Sequence, residues 1–290
     1  MEFSQGGVYP CTQQYREDQG GGNAFTEGVS FGICPSMSNV DPNLRRELFG
    51  WYSPRLGMDM PIVRYGHWGP AMLLFPTAGG DFLEAERMGL IQSVAHHLFA
   101  GRVQIFSINS INPWAWMNPG MPIHEKARNQ VLYSEYVEQE VVPHIRRCLG
   151  NDQARIGAAG ASFGAFHAAN AFFRRPDLFD LLLGLGGFYD LQPEFLHGYW
   201  SDDVYFNNPV SYVPNLSEGP GMDLLRHHSR IHLVTSRGAW EHPGYSEHLS
   251  HLLHQRGIPH NLDIWGHDMP HDWSTWYRQL DHYMSERLGY

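Results

Sequence analysis

The sequence predicts an α/β fold: a mostly parallel central sheet with helices on both faces and a small aromatic-rich insertion. Three observations predict it. From about residue 60, short apolar runs alternate with longer amphipathic ones, the pattern of successive strand–helix units. The short runs are apolar enough for buried strands, as in a sheet covered on both faces. One of them leads through a glycine–serine–glycine turn straight into a helix-like stretch, a tight strand-to-helix junction.

Taken in order, residues 1–40 are polar and glycine-rich, with Gly20-Gly21-Gly22, and read as a flexible N-terminal arm. Residues 41–290 read as a single domain. Strands are expected over Ile62–Tyr65, Ala71–Phe75, Val103–Asn109, Ala154–Ala158, Leu181–Leu185, Ile231–Thr235 and Asn261–Trp265. Helices are expected over Glu84–Ala100, Glu125–Leu149, Ser162–Arg174, Gly244–Arg256 and Ser274–Leu288. Pro143 lacks a backbone N–H and should kink the second helix or end it early. The stretch 188–230 breaks the alternation with Tyr189, Phe195, Tyr199, Trp200, Tyr205 and Phe206, and reads as a lid-like insertion over one end of the sheet.

Composition removes several function classes. The 290 residues are 42% hydrophobic, enough for a substantial core without disulfide or metal staples. The formal charge of −10, with basic residues scattered, makes nucleic acid and anionic membranes poor partners. Three cysteines without C-x-x-C spacing give neither a disulfide framework nor a cysteine zinc site. No apolar run is long enough to span a bilayer and the N-terminus lacks signal-peptide features, so a soluble, cytoplasmic chain is expected. The 18 histidines include no H-E-x-x-H motif, and no metal or cofactor is expected.

The chemistry centres on Gly160-Ala161-Ser162-Phe163-Gly164, a G-x-S-x-G between a strand and a helix, with Ser162 as the expected nucleophile. Glycines supply nearby positive-φ geometry and room for the chain to pass itself. A serine nucleophile needs a base and an acid to orient it, in the order serine, acid, histidine. Glu241 is the one carboxylate in the segment after the strand Ile231–Thr235, and position marks it as the acid. After the last strand stand His267 and His271, either of which can be the base; the other should pair with Asp268 or Asp272. An oxyanion hole should draw on the amide of Phe163 and on the turn at Gly79 and Gly80, which follows an early strand. Trp114, Trp116 and Trp240 are candidate substrate-binding residues.

With these residues in place the chain resembles the esterase D–like, "putative esterase" branch of the α/β-hydrolases, related to S-formylglutathione hydrolases and mycolyltransferases. The likeness covers about residues 45–290. It rests on Ser53-Pro54-Arg55-Leu56-Gly57, Phe75 to Asp81, Gly160 to Ala168, Tyr205-Phe206-Asn207-Asn208-Pro209 and, most specifically, His271-Asp272-Trp273-Ser274-Thr275-Trp276. The resemblance implies an α/β-hydrolase fold, makes His271 the base, and supports Glu241 as the acid. Ala161 departs from the family, where a cysteine or histidine is common beside the nucleophile. The expected activity is hydrolysis of a small-molecule carboxylic ester, neutral and small or aromatic given the acidic chain. The alternatives are acyl transfer to an alcohol or amine, and a catalytically silent hydrolase fold used for binding.

Overall fold

In a computed structural model, residues 39–287 are described. The arm expected at 1–40 falls, but for its last two residues, outside them. Eight strands form one sheet in the order β1-β2-β4-β3-β5-β6-β7-β8. The strands are β1 (Arg46–Ser53), β2 (Met58–Tyr65), β3 (Ala71–Phe75), β4 (Gln104–Ile108), β5 (Ile156–Ala161), β6 (Phe179–Leu185), β7 (Arg230–Ser236) and β8 (Asn261–Trp265). β1 and β2 form an antiparallel hairpin and β2 runs antiparallel to β4; every pairing from β4 to β8 is parallel.

β1 was not among the expected strands. Its sequence, RELFGWYS, opens with two charged residues and only its last residue is buried, so it has no continuous apolar run. The strand owes its place to its partner β2 and to Glu140. That carboxylate accepts from Trp51 Nε1 (2.7 Å), Ser53 Oγ (3.0 Å) and Arg55 Nη1 (3.1 Å).

Helices cover both faces. In β3, Ala71, Leu73 and Phe75 face one layer while Met72 and Leu74 face the other, the two-residue period of a pleated strand. The first layer holds α4 (Ile123–Tyr136), α5 (Val142–Leu149), α6 (Phe163–Arg174) and α10 (Pro243–Gln255); the second holds α1 (Glu84–Arg87), α2 (Leu90–Ser93), α3 (Ala95–Phe99) and α11 (Trp273–His282). The helix expected over Glu84–Ala100 is thus three short pieces. Pro143 does not end its helix: a π-helical turn at Val137–Val141 precedes it and places the proline at the start of α5, where its missing N–H costs least. The stretch 188–230 holds a π-helical turn, α7 (Asp202–Tyr205), α8 (Pro209–Tyr212), a 3₁₀ turn and α9 (Pro220–His227). Asn207 ties it to the first layer, its Oδ1 accepting from Ser134 Oγ (2.9 Å) and Asn170 Nδ2 (3.1 Å). Among the described residues no helix is long and apolar enough to cross a membrane.

Beneath the second layer lies a buried ion pair. Glu86, 2% exposed, takes Arg46 Nε (2.6 Å) and the Tyr65 hydroxyl (2.6 Å) on the same oxygen, joining α1 to the β1–β2 hairpin. Removing one member of such a group leaves the others buried without a partner, which costs about 3–5 kcal/mol. Glu86→Ala should therefore lose roughly that much unfolding free energy in urea, and Glu86→Gln less, because an amide oxygen still accepts. Equal stability of Glu86→Ala and wild type would refute this reading of the pair.

Candidate active site

The chain places β4 on one side of β3 and then returns to place β5 on the other. At such a reversal the carboxyl ends of the two strands open a crevice where ligands bind in open α/β sheets. Phe75 ends β3 and leads into the Thr77–Gly80 turn; Ala161 ends β5 and leads into Ser162.

Ser162 sits at φ 55°, ψ −122°, left-handed for a residue with a side chain, between β5 and the first residue of α6. The sequence expectation put the positive φ on the flanking glycines. The structure corrects this: the serine itself carries the strain, and the glycines permit close contact. A Cβ on Gly160 would lie 2.3 Å from the Gly164 backbone, and one on Gly164 would lie 2.4 Å from the Phe75 carbonyl. The sharp turn presents Ser162 at the N-terminus of α6, where the amides of the first helical residues lack intrahelical acceptors. The Phe163 amide is one of these, and among the described residues it has no acceptor.

His271 reaches the serine from the loop after β8. Its Nε2 lies 3.0 Å from Ser162 Oγ and its Nδ1 lies 3.0 Å from Glu241 Oε1. With the proton on Nδ1, the imidazole donates to the carboxylate and accepts from the serine hydroxyl, the tautomer the two partners select. The Glu241 side chain is 1% exposed and its second oxygen accepts from Thr235 Oγ1 (2.8 Å). It is therefore no solvated loop glutamate. Gly186, at φ 52° beyond the end of β6, leaves space for this pair: a Cβ there would lie 2.4 Å from Glu241 Oε1 and 3.2 Å from His271 Nδ1. The His271 amide donates to the Ala239 carbonyl (2.8 Å), the Trp276 ring meets the imidazole edge-on at 5.0 Å, and Asp272 caps α11 through the Ser274 amide (2.7 Å). Each of these contacts uses a residue of the His-Asp-Trp-x-x-Trp segment or its neighbour. His267 stands apart. Its Nδ1 meets the Arg237 carbonyl (3.1 Å) rather than Asp268 or Asp272, which corrects the pairing expected for the second histidine.

The early turn is held from behind. The Ala78 carbonyl accepts from Ser110 Oγ (2.8 Å) and Asn112 Nδ2 (2.6 Å). In a planar trans peptide the following N–H points opposite to that carbonyl, so fixing Ala78 C=O aims the Gly79 amide the other way. Gly80 is corrected as a donor: its amide is taken by the Thr77 carbonyl (2.8 Å), whereas the Ala78 and Gly79 amides have no acceptor among the described residues. Asn112 Oδ1 in turn takes Nε2 of His167 (3.1 Å). Burial pushes His167 down to about 3, so the ring is neutral and donates through Nε2; it also stacks on Phe163 at 5.2 Å. One chain of contacts thus joins the helix behind the nucleophile to the turn facing it.

Of the three tryptophans singled out, Trp116 is 2% exposed and donates its indole N–H to Gln130 (3.0 Å). It lines a cavity of about 420 Å³ with Met117, Met121, Phe195, Lys126 and Glu194. The Phe195 ring lies 5.2 Å from that of Phe163, the residue after Ser162. Trp114 and Trp240 are 45% and 78% exposed, and among the described residues no hydrogen bond or ring contact joins either to Ser162 or His271.

Sequence reasoning missed Thr235, Ser110, Asn112 and Glu84. Glu84 accepts from both the amide and the hydroxyl of Thr77, each at 2.8 Å. Burial pushes its carboxyl up to about 7 from 4.5, against the lowering effect of the Thr77 hydrogen bonds. A raised carboxyl favours the folded state most below its unfolded value, and that contribution is lost as pH rises through the folded one. Wild type should therefore lose up to about 3 kcal/mol between pH 4.5 and 7 that Glu84→Gln does not lose, in denaturant titrations across that range. Parallel stability curves for the two proteins would contradict the assignment.

No family model and no curated protein matches the chain. Solved structures do match its fold. A ferulic acid esterase is 16% identical with a TM-score of 0.64, over 82% of this chain and 96% of that one. The S-formylglutathione hydrolase of Agrobacterium tumefaciens is 12% identical with a TM-score of 0.63, over 87% and 95%. The enzyme of the same name from Staphylococcus aureus is 12% identical with a TM-score of 0.61, over 88% and 98%. The fold is that of the α/β-hydrolases, and these neighbours are of the types the sequence resembles.

Proposed function

We propose that this chain is a serine hydrolase that cleaves carboxylic esters through an acyl-enzyme. The observation that carries the reading is the unbroken series Glu241–His271–Ser162, with 3.0 Å at each step, ending on a strained serine at a helix N-terminus. Structural neighbours named as a ferulic acid esterase and as S-formylglutathione hydrolases support a hydrolase reading.

Ser162 Oγ attacks the ester carbonyl carbon while His271 Nε2 takes its proton. Glu241, buried and hydrogen-bonded on both oxygens, holds the imidazole in its tautomer and stabilises the imidazolium. The carbonyl oxygen becomes an oxyanion and accepts from the amides of Phe163 and Gly79, neither of which has another acceptor among the described residues. Collapse breaks the bond to the alcohol, which leaves with the proton from His271. Water then attacks the acyl carbon, His271 removes its proton, and the acid departs as Ser162 regains a proton. Phe195, Trp116 and the two methionines supply the apolar wall of a cavity whose lining also includes Lys126 and Glu194, and that wall suits an aromatic or short apolar acyl group. The name of the ferulic acid esterase, which acts on an aromatic acid ester, fits that wall.

A fluorophosphonate probe should label Ser162 covalently, and Ser162→Ala should lose labelling and at least about 10³-fold in p-nitrophenyl acetate turnover. Full turnover by Ser162→Ala would overturn the proposal. Asn112→Ala removes one of the two donors that hold the Ala78 carbonyl and loosens the Gly79 amide. It should lower kcat by roughly 10- to 100-fold with little change in KM, since an oxyanion donor acts mainly in the transition state. A change in KM alone would assign Asn112 to substrate binding instead.

A further inference from the structure

Only one histidine of 18 serves the proposed reaction. Two others converge on a carboxylate in the layer formed by α1–α3 and α11. His96 Nε2 lies 3.2 Å and His97 Nε2 3.3 Å from the same oxygen, Oδ1 of Asp281. The two rings are 3.9 Å apart between centroids, and one ligand atom from each of the three residues falls within 4.8 Å of the others. Ser285, one helical turn after Asp281, sets its Oγ 3.1 Å from His97 Nε2.

Zinc binds imidazole nitrogen and carboxylate oxygen at about 2.0–2.2 Å in a tetrahedron, which spaces neighbouring ligand atoms about 3.3–3.5 Å apart. The two nitrogen-to-oxygen separations, 3.2 and 3.3 Å, lie within 0.1 Å of that spacing. Exposure is graded as an ion site requires. The His97 side chain is 1% exposed and fixed in the core, while His96 and Asp281 are 59% and 42% exposed and give an ion a path from solvent. Two imidazoles and one carboxylate make a borderline donor set that favours zinc over calcium or magnesium, which take oxygen.

We propose that His96, His97 and Asp281 form a zinc(II) site, with the fourth position open to solvent. The ion would clip α3 to α11. It lies away from the reacting serine, but α11 begins directly after His271 and is capped by Asp272, so the clip steadies the helix that carries the base loop. No spacing motif announces this site, because two adjacent histidines meet an aspartate from far along the chain.

The test uses the full chain stripped with EDTA and then titrated with zinc chloride, followed by calorimetry and by thermal melting. Wild type should bind a single zinc ion saturably and melt at a higher temperature. Asp281→Asn and His96→Ala, both at exposed side chains, should each weaken binding by roughly tenfold or more and remove the melting shift. Cobalt(II) should give the intense visible absorption of a tetrahedral site in wild type and not in the variants. Ester turnover of the stripped protein should remain, so that failure here is distinct from failure of the Ser162 reading. Equal zinc affinity in wild type and both variants would place the ion on other histidines and overturn the proposal, as would the absence of any melting shift in wild type.

Discussion

The site depends on a close crossing of two backbones. Gly164, in the first turn of α6, lies so near the Phe75 carbonyl that no side-chain carbon fits between them, and Gly160 lies as near to Gly164. This crossing forces the chain to reverse within one residue, and that residue is Ser162, driven to positive φ. Strain of this kind costs on the order of 1–3 kcal/mol and persists only where surrounding structure over-determines it. Here the surroundings are β3, β5 and α6, in which every residue from Phe163 to Phe173 is buried. The same crossing brings the end of β3 beside the nucleophile, so the turn that follows β3 has no other place to go.

Around that crossing the polar groups are arranged in two shells facing opposite ways. On the reacting side Ser162, His271 and Glu241 form a single line of hydrogen bonds. Away from that line Asn112, Ser110 and Glu84 bind the backbone of the early turn, and His167 holds Asn112 through its side-chain oxygen. Buried polar groups of this kind persist because each is satisfied by another. Removing any member exposes its partner to the full cost of burial without a hydrogen bond. The two arrangements share α6, whose first residue borders the serine and whose fifth, His167, starts the rear chain.

Much of this was legible in the sequence, for identifiable reasons. β3 and β8 have the expected bounds because a short run rich in apolar residues, continuous in β3 and alternating in β8, is a local signal. Ser162, Glu241 and His271 stood out through strand-end position and a specific local pattern. β1 was invisible because a half-exposed edge strand carries no apolar run. Helix breaks between Glu84 and Phe99 were hidden because amphipathic spacing continues across them. Thr235, Asn112 and Glu84 act through partners that the fold, not the local sequence, brings near. Gly80 looked like a donor until its amide was seen closing its own turn onto Thr77.

The peptide unit between Ala78 and Gly79 has a consequence for how such a protein can change. Its orientation is set by Asn112 and Ser110 gripping the carbonyl from the rear, and no side chain on the front of the turn takes part. The nearby cavity is lined by other residues, Met121 and Phe195 among them. Under the proposed reaction, substitutions at those two positions can reshape what fits while the grip on the Ala78 carbonyl stays in place. Fit and the aim of the amide then rest on different residues, and one can diversify while the other stays fixed.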